Sequence, residues 1–210
     1  MLVLCDFDGT YALQDVTNLI WDRYRTDDWR ELLLPDYRAG RTNAFEVMSA
    51  GYRPLKVPAR EMIEFVRPLV EVRPGFDVLH GFCRENNFAL NVVSQGLDFY
   101  IREFVPAGIP IHSLTAELNG HWQVKFPDGC RIDHREDYKV HVLEKLKREH
   151  PGAPIAFIGD GRNDFPIAEQ VDRVFAVEGS SLARMCADAG IACLEFHSFE
   201  EVVSALDSPR

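Results

Sequence analysis

Near its start the sequence contains LVLCDFDGT, residues 2–10 of a 210-residue chain, and this stretch decides the fold. Its first four residues show no polar alternation, a pattern typical of a strand buried on both faces of a parallel sheet. Two carboxylates, Asp6 and Asp8, end the strand, and Gly9 then permits a tight turn. Because open α/β folds place their active sites at the carboxyl edge of the sheet, the stretch predicts a charged site there.

Asp6 and Asp8 are close enough in sequence to repel each other. Repulsion raises the pKa of one carboxyl unless a cation or a hydrogen-bond donor compensates it. Mg²⁺ is the natural compensating ion, since it binds one or two carboxylates together with waters and phosphate oxygens. An acidic turn that merely caps a helix is the alternative interpretation, and the pair taken alone favours this alternative. The decision depends on which other polar groups reach the same edge.

The composition excludes several classes of partner. Hydrophobic residues make up 46% of the chain and charged residues 27%, enough for a packed core and a polar surface. The net charge of −10 argues against nucleic acid and anionic membranes, which both select basic patches. No apolar run approaches the ~20 residues of a membrane-spanning helix. The strand follows Met1 directly, so we expect no signal peptide, and five scattered cysteines indicate thiols in the cytoplasm.

Residues 11–70 are predicted to form a small helical cap, inserted after the first strand. Four stretches show helical spacing behind capping or turn residues: 15–21, 28–34, 42–48 and 58–66. Breaks are expected at Pro35 and near Gly40. The insert shows no strand pattern and is far longer than the ~2–6-residue loops of an ordinary crossover. Its aromatic residues, among them Trp21 and Trp29, are predicted to form the core of the cap.

Residues 1–10 and 71–210 are predicted to form an α/β core domain. Strand patterns occur at 88–93, 109–114, 154–158, 174–177 and 192–194, and helical patterns at 76–86, 97–105 and 137–150. This alternation predicts a doubly wound, mostly parallel, Rossmann-like sheet with right-handed crossovers. A β-hairpin is expected around Asn119 and Gly120, because this dipeptide lies between two alternating runs.

Three of the predicted strands end in polar, turn-forming residues. They are Asp6 and Asp8, then Ser94, Gln95 and Gly96, and finally Asp160 and Asp164. Because the carboxyl ends of parallel strands lie along one edge, these groups are expected to converge. Ser94 and the backbone N–H groups near Gly96 would form an anion cradle at a helix start. Lys139 begins the helix before the Asp160 strand, which brings a cation to the same edge.

These motifs, in this order, resemble those of the haloacid dehalogenase superfamily. The matching residues are DFDGT at 6–10, Ser94, Lys139, and GDGRND at 159–164. The resemblance spans the whole chain, and the insert is similar to the first-position (C1) cap of phosphoserine-phosphatase-like members. The insert also resembles that of the methionine-salvage enolate phosphatases, in Asp15, in the Trp29 helix and in residues 40–52. Residues 115–137 differ from those phosphatases, since a plain hairpin is expected in place of their cysteine-rich segment.

The resemblance implies a role for each matching residue. Asp6 is the expected nucleophile, which forms an aspartyl-phosphate, and Asp8 is the acid that protonates the leaving oxygen and then activates water. Mg²⁺ is expected to be held by the Asp6 carboxylate, the Asp8 carbonyl and Asp160. The expected phosphate-binding residues are Ser94, Gln95, Gly96, Lys139 and Asn163. Asp164 is expected to orient Lys139 or a metal-bound water.

We therefore expect a cytoplasmic, Mg²⁺-dependent phosphatase that hydrolyses a small phosphorylated metabolite beneath the cap. Asp15, Arg41 and Arg53 are the cap residues chosen as candidates for substrate contact. A phosphotransferase or phosphomutase using the same intermediate is one alternative. A phospho-receiver signalling module is another, which Asp8 and the long insert disfavour. Neither nucleic acid nor a membrane is expected as a partner, and both the substrate and the oligomeric state (monomer or homodimer) remain open.

Overall fold

The computed structural model describes residues 1–126 and 138–208. Seven strands form one sheet in this part of the chain: β1 (Leu2–Cys5), β2 (Ala89–Leu97), β3 (Ile111–Leu118), β4 (Trp122–Lys125), β5 (Ile155–Gly159), β6 (Arg173–Val177) and β7 (Cys193–Phe196). Their order is β4-β3-β2-β1-β5-β6-β7, and every pair is parallel except the β3–β4 hairpin. The predicted α/β class, with a mostly parallel sheet and a hairpin, is confirmed.

Ten helices accompany the sheet within the described ranges. They are α1 (Val16–Tyr24), α2 (Trp29–Arg38), α3 (Ala44–Tyr52), α4 (Ala59–Val66), α5 (Phe76–Glu85), α6 (Asp98–Phe104), α7 (Tyr138–Glu149), α8 (Phe165–Ala168), α9 (Ser181–Ala189) and α10 (Phe199–Asp207). A short 3₁₀ turn, Arg162–Asp164, precedes α8. The predicted helix start at Asp137 and the end of the predicted hairpin segment lie outside the described residues.

Strand β1 lies at the centre of the sheet, between β2 and β5. All four of its residues are buried, and since successive side chains point to opposite faces, both faces of the strand are covered. The chain builds β2 and β3 on one side of β1 and then β5, β6 and β7 on the other. Strand order reverses at this point, which is where open α/β sheets leave a crevice for ligands.

The register of β1 explains which residues meet at that crevice. Cys5 lies opposite Val92 in β2 and Ile158 in β5. Asp6, one residue beyond Cys5, therefore emerges at the same level as the segments just after Val92 and Ile158. Ser94 and Asp160 each lie two residues beyond those positions, so all three groups leave the sheet at its carboxyl edge.

Polar side chains cap three of the four helices of the insert, α1, α2 and α3. The Asp15 carboxylate accepts the Asn18 N–H at the start of α1, and Asn43 caps α3 through a capping box. The break predicted at Pro35 is wrong, because α2 continues through it to Arg38. Proline removes a single N–H donor, and here the loss falls in the second half of a helix whose first turn is well capped.

Aromatic packing joins the insert to the hairpin. The Phe99 and Trp122 rings are stacked with centroids 5.4 Å apart, and Tyr52 of α3 lies 6.3 Å from Trp122. The Trp122 indole N–H also donates to the Val57 carbonyl at 2.9 Å. Strand β4 thus holds the α3–α4 segment against the sheet. That residues 11–70 act as a separate cap domain stays a prediction.

None of the helices in residues 1–126 and 138–208 combines the length and apolarity needed to cross a bilayer. The cysteines of the same ranges, Cys5, Cys83, Cys186 and Cys193, carry free thiols. Burial raises the pKa of the Cys5 thiol well above its usual value, as does the neighbouring Asp6 carboxylate. Cys5 is therefore a neutral core residue at the end of β1.

Candidate active site

A pocket of about 220 Å³ opens at the carboxyl edge of the sheet. Its lining contains these residues from the predicted site: Asp6, Asp8, Asp15, Ser94, Gln95, Gly96, Asp160 and Asn163. Helices α1, α2 and α3 supply the opposite wall. The strand ends and the insert therefore enclose one cavity, whose volume suits a small metabolite.

Lys139 is the central cation of this edge. It is the second residue of α7 and fully buried, and its Nζ lies 2.8 Å from Asp6 Oδ1 and also pairs with Asp164. Burial alone lowers the pKa of Lys139, but the charges of Asp164 and Asp6 outweigh burial and raise that pKa above its usual value. Asp164 also accepts the N–H groups of Asp160, at 2.9 Å, and Gly161, at 2.8 Å. Asp164 therefore holds both the lysine and the loop after β5.

The acids of the edge fit a divalent cation. Carboxylate oxygens of Asp6, Asp160 and Asp164 lie within 4.8 Å of one another. Burial, followed by repulsion from Asp164, raises the pKa of Asp6 well above its usual value and that of Asp160 to about 6. Lys139 offsets part of this negative charge. The remaining hard oxygen donors are those that Mg²⁺ prefers.

Asp8 lies outside that cluster, with its carboxylate turned toward α1 and α6. Its Oδ1 accepts the Val16 N–H at 2.8 Å, and its Oδ2 accepts the Tyr100 hydroxyl at 3.0 Å. Burial and the charge of Asp15 raise the pKa of Asp8 to about 8. A carboxyl that keeps its proton near neutral pH is suited to general-acid chemistry.

Tyr100 was missed by sequence reasoning, because a tyrosine within an amphipathic helix belongs to no motif. Its hydroxyl lies 3.0 Å from the Thr17 hydroxyl, which in turn lies 3.4 Å from that of Tyr52. A Cβ added to Gly96 would sit 1.9 Å from the Tyr100 oxygen and 2.8 Å from Asp8 Oδ2. Gly96 is therefore required for the close approach of Tyr100 to Asp8.

The residues of the predicted anion cradle make hydrogen bonds with one another and with Asn163. The Gly96 N–H donates to Ser94 Oγ at 2.9 Å, and the Asn163 amide donates to Gln95 Oε1 at 2.9 Å. The predicted end of β2 at residue 93 is wrong, since the strand runs to Leu97. Its pairing with β3 becomes irregular between residues 93 and 97, which turns the Ser94 segment into the pocket.

Three further residues shape the loop after β1, namely Gly9, Thr10 and Arg73. Thr10 Oγ1 donates to Asp160 Oδ1 at 2.9 Å, and a Cβ on Gly9, whose φ is +78°, would lie 2.6 Å from Asp160 Oδ2. Arg73 is buried and donates to the Gly9 and Thr10 carbonyls, both at 2.8 Å. Nothing in the sequence around Arg73 except a Pro-Gly break marks it, because its partners lie some sixty residues away.

The candidate cap residues are not placed together. Asp15 lines the pocket, whereas Arg41 pairs with Asp36 at an exposed position. Arg53 borders a different, open depression beside Arg25. Among the described residues, Asp15 is therefore the candidate that lines the pocket, and any role in substrate contact stays a prediction for all three.

The profile of the haloacid dehalogenase-like hydrolase family matches residues 3–169. The chain therefore belongs to the haloacid dehalogenase-like hydrolase family. Its relatives include the 2-hydroxy-3-keto-5-methylthiopentenyl-1-phosphate phosphatase of Geobacillus kaustophilus, 28% identical over 98% of this chain and 95% of that protein. The polyol phosphate phosphatase of Saccharomyces cerevisiae is 23% identical over 98% of this chain and 92% of that protein.

Solved structures share the fold. A phospho-aspartyl intermediate analogue of phosphoserine phosphatase superposes with a TM-score of 0.73 at 16% identity, covering 97% of each chain. A phosphoserine phosphohydrolase-like protein from Francisella tularensis gives a TM-score of 0.73 at 18% identity, covering 97% of this chain and 98% of that one. The predicted family, fold and enzyme class, a phosphoric monoester hydrolase, are confirmed.

Proposed function

We propose that this phosphatase hydrolyses its small phosphorylated metabolite through an aspartyl-phosphate formed on Asp6, with Mg²⁺ as cofactor. One observation carries the proposal: Asp6 lines the pocket while Lys139 holds its Oδ1 at 2.8 Å. A carboxylate held in this way is oriented toward a bound phosphate, and the lysine offsets its repulsion from that phosphate. Orientation and charge neutralisation supply most of the catalysis of phosphoryl transfer.

The residues of the pocket suit both halves of the reaction. A carboxylate oxygen of Asp6 attacks phosphorus, and the proton of Asp8 passes to the leaving oxygen as the phosphorus–oxygen ester bond breaks. Asp8, now ionised, takes a proton from water as that water attacks the phosphorus and releases Asp6. Ser94, Gln95 and Asn163 line the pocket beside Asp6 and are proposed to position the phosphoryl oxygens.

Mg²⁺ would be held by the Asp6 carboxylate, Asp160 and the Asp8 carbonyl. When bound, it neutralises charge on the phosphoryl group and on the acids that surround it. Thr10 keeps Asp160 in place for that role by its hydrogen bond, and Gly9 leaves the space that the Asp160 carboxylate occupies. Asp164 is proposed to orient Lys139.

The insert is proposed to act as a cap that excludes bulk water while Asp8 acts. These relatives are named for a methylthiopentenyl phosphate and for polyol phosphates, which supports a small phosphorylated metabolite as substrate. We place the enzyme in the cytoplasm, without nucleic-acid or membrane partners. The net charge of −10 and the free thiols support this placement.

Turnover of p-nitrophenyl phosphate with Mg²⁺ tests the proposal. We expect repeated release of inorganic phosphate by the unaltered protein, and loss of release in Asp6→Asn. The matched control is Asp36→Asn, which changes an exposed aspartate on α2. Phosphorylation that stops after one equivalent would indicate a receiver module, and transfer to an added alcohol in place of water would indicate a phosphotransferase.

A further inference from the structure

The wall of the pocket that faces the sheet edge is apolar. Its side chains come from α1, α2 and α3 and include Trp21, Trp29, Leu34, Val47 and Met48. The two tryptophans are buried and pack edge to face, with ring centroids 5.0 Å apart. The phosphate is proposed to bind at the opposite, polar side, so this wall faces the rest of the substrate.

Neighbouring side chains hold Trp29 in its place in the wall. The Trp29 indole N–H donates to Asp22 Oδ1 at 2.8 Å, and the Arg30 guanidinium lies 4.2 Å from the centre of the Trp29 ring. Arg30 also donates to Asp22 at 2.8 Å, which joins the three side chains. A preorganised apolar surface binds alkyl groups without the cost of ordering its own side chains.

The charged side chains that line the described pocket are acidic, and the buried cation behind them, Lys139, is already paired with Asp6 and Asp164. The charged residues among the described lining residues are Asp6, Asp8, Asp15 and Asp160. Three of these belong to the proposed phosphate and metal site, and Asp15 remains on the side of the helices. An anionic group on the organic part of a substrate would meet Asp15, without a cation among the described lining residues to offset the repulsion. Asn18, which also lines this side, can serve neutral hydroxyl groups.

We infer that the substrate is a phosphomonoester of a neutral alcohol that carries a short apolar chain, and that phosphorylated amino acids and carboxylic acids are poor substrates. This inference rests on the proposed function and deepens it. It separates this chain from the phosphoserine phosphatases that share its fold, because the carboxylate of phosphoserine would face Asp15 and the tryptophan wall.

A substrate series measures the wall directly. We expect kcat/KM to rise about 4-fold for each methylene from ethyl to butyl phosphate, the gain for burying one CH₂ group. O-phosphoserine and 3-phosphoglycerate should give values at least 100-fold below that of butyl phosphate. Equal or higher kcat/KM for phosphoserine, or a flat alkyl series, would overturn the inference. If p-nitrophenyl phosphate also fails to release phosphate, the proposed function fails instead.

Two variants separate the apolar wall from the charge. Val47→Thr should lower the butyl-to-ethyl ratio about 3-fold, since a hydroxyl replaces one methyl of the wall. Val57→Thr is the matched control, because Val57 is also half-buried but does not line the pocket, and its ratio should be unchanged. Equal effects in both variants would contradict a role for the wall.

Asp15→Asn removes the negative charge and keeps the cap of α1, because asparagine is an equally good N-cap residue. The ratio of kcat/KM for 3-phosphoglycerate to that for butyl phosphate should rise on the order of 5-fold, as expected for a carboxylate pair at the protein surface. An unchanged ratio with normal butyl phosphate turnover would overturn the argument from charge.

Discussion

The two sides of the pocket differ in how they are held together. At the sheet edge, buried charges are each bound by a partner, as Lys139 is by Asp6 and Asp164, and as Asp160 is by Thr10. On the helical side, apolar groups face the pocket and the ion pairs, such as Arg30 with Asp22, lie on the outside. The difference suggests that the sheet edge carries out the reaction and that the helical wall selects the substrate. We expect changes at the sheet edge to act on kcat and changes in the wall to act on KM.

The largest effect is expected for Asp6→Asn. The amide has the same size but is not a nucleophile, so phosphate release should fall by at least ~10³-fold. Lys139 keeps Asp164 as a partner, and the thermal midpoint measured by circular dichroism should therefore stay within a few degrees of the wild-type value. Activity within tenfold of wild type in a folded variant would remove Asp6 from its role.

Removal of the metal should have the second-largest effect on activity. Excess EDTA should abolish phosphate release, and added Mg²⁺ should restore it, because the acids of the edge otherwise repel the phosphate. Asp160→Asn should raise the Mg²⁺ concentration for half-maximal activity at least ~10-fold, since one of the few protein ligands is lost. Full activity in EDTA would refute the assignment of the metal, and an unchanged Mg²⁺ requirement would refute that of Asp160.

Tyr100→Phe should have a smaller effect, confined to kcat. The variant removes the hydroxyl that donates to Asp8 Oδ2 at 3.0 Å. A hydrogen bond to the carboxylate that forms once Asp8 has given up its proton contributes ~1.5–3 kcal/mol. A loss of about 10-fold in kcat with KM unchanged is expected from steady-state kinetics. Tyr24→Phe is the control, because its hydroxyl donates to the Glu61 carbonyl at an exposed site. A change in KM alone would place Tyr100 among the wall residues.

Much of the sheet edge could be predicted from sequence, because strand ends and parallel pairing are local and regular features. Asp6 and Asp160 follow buried strands, Ser94 lies near the end of one, and the shared edge then brings the three into one pocket. The hairpin was equally predictable, since Asn119 and Gly120 leave little choice of turn. The placement of Lys139 followed from the direction of a helix between parallel strands.

The remaining parts depend on partners far away in the chain. Tyr100 and Arg73 act through contacts with Asp8 and the loop after β1, which no local pattern indicates. Sequence reasoning also did not indicate that Ser94 Oγ accepts the Gly96 N–H, and phosphate binding by these residues stays a prediction. The tryptophans were predicted as cap core, and the structure shows that one buried surface can be both core and pocket wall. The helix break at Pro35 was predicted from the low helix propensity of proline alone, and in the folded protein α2 continues through this residue.

The smallest effect is expected for a change at Pro35, on the helical side of the pocket. It lies in α2 between Leu34 and Tyr37, which both line the pocket, and it leaves the Glu31 carbonyl without its helical N–H donor. Pro35→Ala restores that donor, although the greater freedom of the unfolded chain offsets part of the gain. A net stabilisation of about 1 kcal/mol should raise the thermal midpoint by ~2–4 °C. Pro58→Ala is the control, because Pro58 precedes α4 at a position that needs no N–H, and this variant should bring no gain in stability. A lowered thermal midpoint of Pro35→Ala would show that α2 has adapted its packing to the proline.

The same variant tests the kinetic role of the wall. If the helical wall selects the substrate, Pro35→Ala should change the KM for butyl phosphate and leave kcat as it was.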